Sequence, residues 1–342
     1  MSNTTRHAPM LIEPTRDGLY CAAGDFHIDP WRPVPRALIT HAHADHARSG
    51  HGAYWAVDRG AGLLRQRLGQ HITLTEVAYG QTLTFGEARV SFHPAGHVLG
   101  SAQIRVEAQG QVWVASGDYK RDVDPTCTPF EVVPCDTFIT EATFALPVYR
   151  WASSASVAAD VLTWWQGNAA AGRTSVLFSY SLGKAQRLLA ELGLLTDGTA
   201  YLHGAVVPLT QIYRDAGVSM LATEPVSAQD KQYDFAQDLV IAPPSAAGSR
   251  WMRRFKRHAT GFASGWMRIR GNRRRRGYDR GFVLSDHADW PGLIDTIQAT
   301  GATRVLATHG RTDVLVAYLK QRGIDAAPLV TEYADSAETD QD

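Results

Sequence analysis

The chain has 342 residues, 44% of them hydrophobic, and its 34 Lys and Arg balance 34 Asp and Glu. This length allows roughly two domains of about 150 residues, and the apolar fraction is sufficient for a buried core. Three cysteines without a CxxC pair argue against a disulfide framework or a thiolate zinc site and favour reduced thiols. Since no apolar run is typical of a signal peptide or a membrane helix, we expect a cytoplasmic protein without a membrane partner.

The first 170 residues predict short strands followed by a helix. ALIT at 37–40 and TFIT at 137–140 predict strands, and two alternating runs around Gln109-Gly110 predict a hairpin. A helix is expected over 153–168, capped by Ser153 or Ser154.

From residue 170 the predicted strands and helices alternate. TSVLFSYS and DLVIAPP predict strands, and GKAQRLLAEL between them predicts a helix, which together indicate a small parallel α/β unit. From residue 281 the pattern predicts a strand at GFVLS, a helix from Pro291, a strand at RVLAT and a helix from Thr312 to Gln321.

The histidine-rich motifs lie near the two ends of the chain. This distribution predicts one catalytic domain formed by about 1–148 and 280–342. The intervening residues, about 149–279, would then form an inserted domain.

A cluster of four possible metal ligands follows the first of these strands, in the sequence THAHADH at 40–46. His41 and His43 are two residues apart, so in an extended chain their side chains point to the same side. Asp45 and His46 follow where we expect the chain to turn, and they can face a neighbouring position. Imidazole and carboxylate groups suit zinc or a similar divalent ion. A solvated polar loop is the alternative, but three histidines and an aspartate within six residues favour a metal site.

Three further candidates follow strand-like runs later in the chain, where loops tend to carry functional groups. They are His97, Asp118 and His309. His93 is an alternative to His97, but the glycine before His97 permits a closer approach of the backbone.

These motifs resemble those of the metallo-β-lactamase fold superfamily. The resemblance implies two metal ions, zinc or alternatively manganese. One would be held by His41, His43, His97 and Asp118, and the other by Asp45, His46, Asp118 and His309. It further implies that Asp25, in AAGDFHIDP, orients the metal-binding loop, with Asp29 as the alternative. The implied fold is an α/β sandwich of αββα type.

The long segment between Asp118 and His309 resembles the insertion of the β-CASP branch, whose members cut nucleic acids. Glu141 in TEATF, His287 in LSDHADW and His309 in THGR match three motifs of that branch. LFSYSLGKAQRLL resembles its strand–glycine–helix element, and the GK in it is not a phosphate loop because the GxxxxGK spacing is absent. The implied architecture is the sandwich with an inserted small α/β β-CASP domain.

Within this branch, the stretches 11–48 and 241–251 resemble the bacterial ligase-associated DNA exonucleases. That resemblance implies a 5′→3′ exonuclease acting on single-stranded DNA in DNA repair, with a DNA ligase and other repair proteins as partners. His309 leaves an alternative open, because RNA-processing members carry histidine at this motif whereas eukaryotic DNA-acting members often carry valine. A β-CASP ribonuclease is therefore the second hypothesis.

Positive charge is concentrated in one segment, 250–280, which has twelve Lys and Arg and a single acid, Asp279. A net charge of +11 over 31 residues of an otherwise acidic chain favours a polyanionic ligand. Aromatic rings that can stack on unpaired bases are interleaved with these charges: Trp251, Phe255, Phe262, Trp266 and Tyr278. The alternative is a solvated loop beside ordinary core aromatics.

The expected chemistry is hydrolysis of a phosphodiester, in which two metals activate a water and neutralise the phosphate. Asp45, His287 at the leaving oxygen and Glu141 beside His287 are the predicted catalytic residues. The candidate nucleic-acid contacts are Tyr119, Lys120, Ser179, Ser181, Lys184, Arg250, Arg253, Arg254, Arg273, Arg274, Arg275 and Arg276. The serines and Lys184 are candidates because a helix N-terminus attracts anions. A small-molecule metallo-hydrolase and a binding module with a decayed site are the remaining alternatives.

Overall fold

The structure, a computed structural model, describes residues 10–269 and 277–332. Arg273, Arg274, Arg275 and Arg276 lie outside these residues. The described chain forms three sheets and six α-helices. The helices are α1 (Ala61–Leu68), α2 (Ser154–Ala170), α3 (Lys184–Gly193), α4 (Val207–Asp215), α5 (Trp290–Thr300) and α6 (Thr312–Gln321). None of these helices is both long enough and apolar enough to cross a membrane.

The first sheet is built from the N-terminal strands in chain order. They are β1 (Glu13–Pro14), β2 (Leu19–Cys21), β3 (Phe26–Ile28), β4 (Arg36–Leu38), β5 (Ala53–Val57) and β6 (Leu74–Val77). The pairs from β1 to β3 are antiparallel and those from β3 to β6 are parallel.

The second sheet combines strands from both ends of the chain. In chain order they are β7 (Thr82–Phe85), β8 (Ala88–Pro94), β9 (Ala102–Ala108), β10 (Gln111–Ala115), β11 (Thr137–Glu141), β18 (Arg304–Thr308) and β19 (Asp325–Pro328). Their order in the sheet is β19-β18-β11-β10-β9-β8-β7. The strands from β19 to β10 are parallel, and β9 is antiparallel to both of its neighbours, so β8 runs in the same direction as β10.

The first two sheets pack face to face, because the alternating apolar residues of each point into one shared core. Phe26 and Leu38 of the first sheet meet Phe92 and Ile104 of the second in this core. The opposite face of the second sheet is covered by α5 and α6, and the opposite face of the first by α1 and α4. The candidate metal-ligand motifs follow strands of these two layers.

The third sheet is entirely parallel, in the order β14-β13-β15-β12-β16-β17. Its strands are β12 (Thr174–Phe178), β13 (Thr199–Leu202), β14 (Ala222–Pro225), β15 (Leu239–Ala242), β16 (His258–Ala263) and β17 (Arg280–Phe282). Helices α2 and α3 cover one face. The strand β17 begins at residue 280, where the sequence predicted that the catalytic segment resumes, yet it pairs with the third sheet.

The mixed α/β class is confirmed, and most elements with a clear pattern lie where they were predicted. The helix α6 has the predicted bounds, Ser153 accepts the capping hydrogen bond of α2, and β9 and β10 form the hairpin around Gln109-Gly110. The strands β13, β14 and β16 and helix α4 were not predicted. β13 is four residues long and largely buried, so it has no alternating pattern to detect.

Candidate metal centre and adjoining cleft

The ends of four strands bring possible metal ligands to one edge of the second sheet. His97, Asp118 and His309 lie just after β8, β10 and β18, and Glu141 is the last residue of β11. Since these four strands run in the same direction, their C-terminal ends share an edge. The loop after β4 of the first sheet carries the residues from His41 to His46 to this edge.

One group of donors consists of His41, His43, His97 and Asp118, whose ligand atoms all lie within 4.8 Å of one another. Nδ1 of His43 lies 3.0 Å from Nε2 of His41 and 3.0 Å from Nε2 of His97. Oδ2 of Asp118 lies 3.5 Å from Nε2 of His41. Three imidazole nitrogens and a carboxylate oxygen form a donor set that suits a zinc-like ion.

A second group, Asp45, His46 and His309, lies next to the first. The rings of His46 and His309 are stacked with their centroids 5.1 Å apart, and Nε2 of His46 is 3.6 Å from Oδ2 of Asp45. The other oxygen of Asp118, Oδ1, is also 3.6 Å from Nε2 of His46. Asp118 thus presents one oxygen to each group, as a carboxylate that bridges two ions would.

Burial controls the protonation of these histidines. It lowers the pKa of His43 to about 4 and that of His309 to about 3, and it lowers the pKa of His41 and His97 as well. These four imidazoles are therefore neutral near pH 7, the form in which histidine binds metals. Burial also acts on His46, but the carboxylates of Asp45, Asp118 and Asp29 outweigh it and raise the pKa of this ring to about 10.

The carboxylate that supports the metal-binding loop is Asp29, and the prediction of Asp25 was wrong. Oδ2 of Asp29 accepts hydrogen bonds from Nδ1 of His46 at 2.8 Å and from Oγ1 of Thr40 at 2.5 Å, and Oδ1 accepts one from the Thr40 amide at 2.8 Å. The Asp25 side chain is 73% exposed and pairs with Tyr20 and Arg36. Both aspartates lie in AAGDFHIDP. Of the two, Asp29, which follows β3, faces the loop from Thr40 to His46.

Asp286 is a supporting residue that the sequence analysis missed, although it immediately precedes His287. Its backbone oxygen accepts a hydrogen bond from Nδ1 of His97 at 2.9 Å, which leaves Nε2 of His97 as the ligand atom. Its side chain is paired with Lys184 of α3 at 2.9 Å and with Arg187 at 3.7 Å. Helix α3 therefore holds a residue that orients a candidate metal ligand.

Glu141 and His287 form a hydrogen-bonded pair beside Asp118. Nδ1 of His287 lies 2.8 Å from Oε2 of Glu141, and Oε1 of Glu141 accepts the amide of Tyr119 at 2.8 Å. Burial lowers the pKa of His287, but the carboxylates of Glu141 and Asp118 outweigh it and raise that pKa to about 9. The imidazole is thereby protonated near pH 7 and can donate a proton from the ring.

A cavity of about 290 Å³ opens beside both groups of donors. Its lining includes residues of both donor groups, His43, Asp45, Asp118 and His309, together with His287. It also includes residues from the loops after β12 and β16 of the third sheet, among them Tyr180, Ser181, Leu182 and Trp266. The metal-ligand motifs and the third sheet thus share one cleft.

Several predicted nucleic-acid contacts are buried, which corrects those predictions. Tyr119 is fully buried with its hydroxyl 3.2 Å from Oγ1 of Thr140, and Lys120 is 2% exposed with Nζ donating to the carbonyl of Ser285. Ser179 is also fully buried, away from the cavity wall. Lys184 lines the cavity, but its charge is paired with Asp286.

The expected anion site at the start of α3 also differs from the prediction. The amide of Gly183 donates to Oε1 of Gln186 at 2.8 Å, so one of the amides expected to meet a phosphate is already bound. Ser181 remains at the cavity wall.

The described arginines of the basic segment have different surroundings. Arg250 and Arg253 are exposed on a short 3-10 helix, Arg250–Arg254. Arg254 instead donates to the backbone carbonyls of Gln229, Asp230 and Lys231 and lies over the ring of Phe235, so a nucleic-acid contact by Arg254 is not supported.

Sequence comparison shows that this chain matches parts of longer proteins. The chain is 33% identical over 319 residues to a protein named "Probable DNA ligase" from Opitutus terrae, in an alignment that covers 90% of this chain and 30% of that protein. It is 30% identical over 118 residues to an endoribonuclease ysh1 of Aspergillus fumigatus, covering 33% of this chain and 13% of the relative. A ribonuclease of Thermus thermophilus is 25% identical over 225 residues, in an alignment that covers 56% of this chain and 48% of the relative. The chain thus spans less than a third of the length of the first two relatives.

Comparison with solved structures identifies a similar fold in a protein of unknown function from Enterococcus faecalis. The TM-score is 0.57 at 11% identity, over 88% of this chain and 80% of that one, which shows a shared fold alone. No family model matches the sequence. The relatives found by sequence are thus named as a DNA ligase and as ribonucleases.

Proposed function

We propose that this protein is a two-metal phosphodiesterase that degrades single-stranded DNA from an end, in the 5′→3′ direction, during DNA repair. The observation that carries the proposal is the pair of donor groups that meet at Asp118. In this proposal residues 1–148 and 283–342 form a metallo-β-lactamase sandwich, and 149–282 form an inserted β-CASP domain, because β17 pairs within the third sheet. The cleft between the donor groups and the third sheet would hold the nucleic acid.

The donor set fits two divalent ions, and zinc suits its mixture of imidazole and carboxylate groups, with manganese as the alternative. Oδ1 of Asp118 is buried and, among the described residues, accepts no hydrogen bond. An ion beside His46 would compensate this charge. When bound, two such ions supply Lewis acidity for attack of water on a phosphodiester.

Proton donation and the positioning of the metal ligands would be carried out by side chains of the protein itself. His287 reaches the cavity and is hydrogen-bonded to Glu141, so its ring is placed to give a proton to the leaving oxygen. Glu141 holds Nδ1 of His287 and thereby directs Nε2 toward the cleft. Asp29 and Asp286 position His46 and His97.

The DNA substrate is supported by the long alignment with a protein named as a DNA ligase. That alignment covers only 30% of the ligase, so a unit like this chain occurs beside other sequence in that relative. We accordingly propose a DNA ligase as a functional partner. The ribonuclease hypothesis is favoured by a separate observation, the shorter matches to relatives named as ribonucleases.

The test is a digestion time course on 5′- and 3′-labelled single- and double-stranded DNA and matched RNA, with zinc and with manganese. The wild-type protein is expected to shorten single-stranded DNA from its 5′ end. His309→Ala and Asp45→Ala should abolish cleavage while the circular dichroism spectrum stays unchanged. His93→Ala is the matched control, because that ring contacts Ser91 and Glu131 and belongs to neither donor group.

Two results would count against the proposal. Full activity of His309→Ala and Asp45→Ala would remove the two-metal assignment. Cleavage of RNA with little action on DNA would replace the exonuclease by the ribonuclease.

A further inference from the structure

The lining of the cavity beside the candidate metal ligands includes apolar side chains, which form an apolar wall. Phe144, Leu182, Leu209 and Trp266 line this wall, and they come from four different loops or helices. A phosphate does not bind to such a surface favourably. The burial of apolar side chains lowers the free energy when they contact another apolar surface. The wall therefore needs an occupant that is flat or apolar and joined to the group at the metal ligands.

Trp266 is the most suitable ring on this wall because it is held firmly and remains partly exposed. Its ring centroid lies 4.7 Å from that of Phe144 and 6.0 Å from that of Tyr149, both of which are buried. Gly265 allows this packing, since an added Cβ would lie 2.6 Å from Cζ of Phe144. The indole is thus fixed by the aromatic residues behind it.

The wall is also close to the proposed reaction centre. The ring of Phe144 lies 5.8 Å from that of His287, and Trp266 is packed against Phe144. A cavity of about 290 Å³ is near the lower limit of about 300 Å³ for small-molecule sites, so it suits a single unit of a chain.

We propose that Trp266 is the stacking platform for the nucleobase of the nucleotide whose phosphate lies at the metal ligands. This inference rests on the proposed nuclease function and adds a specificity residue to it. Of the five aromatic residues in the basic segment, Phe255 and Phe262 are buried in the core, and Trp251 and Tyr278 are not on the cavity wall. Of these five residues, Trp266 alone lines the cavity that the candidate metal ligands share.

A stacking platform has two consequences for the substrate. The base must be unpaired and turned away from its neighbours, which favours single-stranded ends over duplex ends. All four bases have a flat π-face, so the platform tolerates any sequence but discriminates against a nucleotide that lacks its base.

The experiment compares two single-stranded DNAs that differ only at the cleaved end, one with an ordinary nucleotide and one with a stable abasic analogue. The wild-type protein should cleave the ordinary end about tenfold to a hundredfold faster in kcat/KM, the range expected for one stacked base. Trp266→Ala should lose this preference, because its kcat/KM should fall on the ordinary end and stay unchanged on the abasic end. Trp266→Phe should keep part of the preference. Trp165→Ala, which changes a partly exposed indole on α2 that bonds to Gln237, should behave as the wild type.

The outcomes separate the inference from the function on which it rests. If the wild-type protein cleaves neither DNA nor RNA, the nuclease proposal fails. If it cleaves both ends equally fast, or if Trp266→Ala keeps the preference, the stacking platform is overturned while the nuclease proposal stands. Loss of folding in Trp266→Ala is checked by its thermal unfolding, and Trp266→Leu, which keeps apolar volume without an aromatic ring, then takes its place in the comparison.

Discussion

At the residue scale, the position of one carboxylate decides how the metal-binding loop is held. Asp29 is 3% exposed and accepts hydrogen bonds from the side chain of His46 and from both the amide and the hydroxyl of Thr40. Such a bond fixes which ring nitrogen of His46 is left for a metal. The side chain of Asp25, four residues earlier, points into solvent and cannot take this role.

We therefore expect Asp29→Asn to lower metal affinity by about 10- to 100-fold, the usual effect of losing a hydrogen-bond partner of a metal ligand. The physical reason is that a neutral side-chain amide attracts the His46 proton less than the carboxylate does. Asp25→Asn is the matched control and should bind metal as the wild type does. Competition with a chelator of known affinity measures both, and equal affinity of the two variants would contradict the role of Asp29.

At the scale of elements, the turn after β10 must pass very close to the loop after β4. Gly117 has φ +54°, and a Cβ on it would lie 2.7 Å from Cβ and Oγ1 of Thr40. Asp118 follows directly and reaches both donor groups from this turn. The close approach of the two loops thus brings Asp118 to the histidines.

Gly117→Ala should consequently destabilise the protein and weaken metal binding together. Gly110→Ala provides a matched control, because Gly110 also has a positive φ, +72°, but has no atom within 4 Å of its Cβ position. Both variants carry backbone strain of about 1 kcal/mol or more, and only Gly117→Ala adds the clash with Thr40. Urea unfolding and metal titration of both would reveal the difference, and similar losses in the two would refute a special close approach at Gly117.

At the scale of the whole molecule, the donors come from distant parts of the sequence and meet in one place. His41 and His309 are separated by most of the chain, yet both lie in the centre. Because these groups come together only in the folded state, a metal that binds them stabilises that state selectively.

Removal of the metal should therefore lower the melting temperature of the protein. At a free metal concentration about one hundred times the dissociation constant, binding adds about 2.7 kcal/mol to the free energy of unfolding. Differential scanning calorimetry with and without a chelator measures this change, and His309→Ala should respond less than the wild type. A melting temperature that does not depend on metal in either protein would contradict a folded-state site.

Local spacing alone was sufficient for the features that depend on neighbours in the chain. The cluster from His41 to His46, the hairpin around Gln109-Gly110 and the helix Thr312–Gln321 follow from periodicity and turn chemistry, because these act over a few residues. The mixed α/β class follows from the same alternation of strands and helices.

Only the tertiary structure distinguished Asp29 from Asp25, paired Lys184 with Asp286 and separated Trp266 from the four other aromatic residues of its segment. Each of these outcomes depends on burial and on a partner from another part of the chain. Contacts between residues far apart in sequence leave no local pattern, so spacing could propose the candidates but only the packing of the three sheets could choose among them.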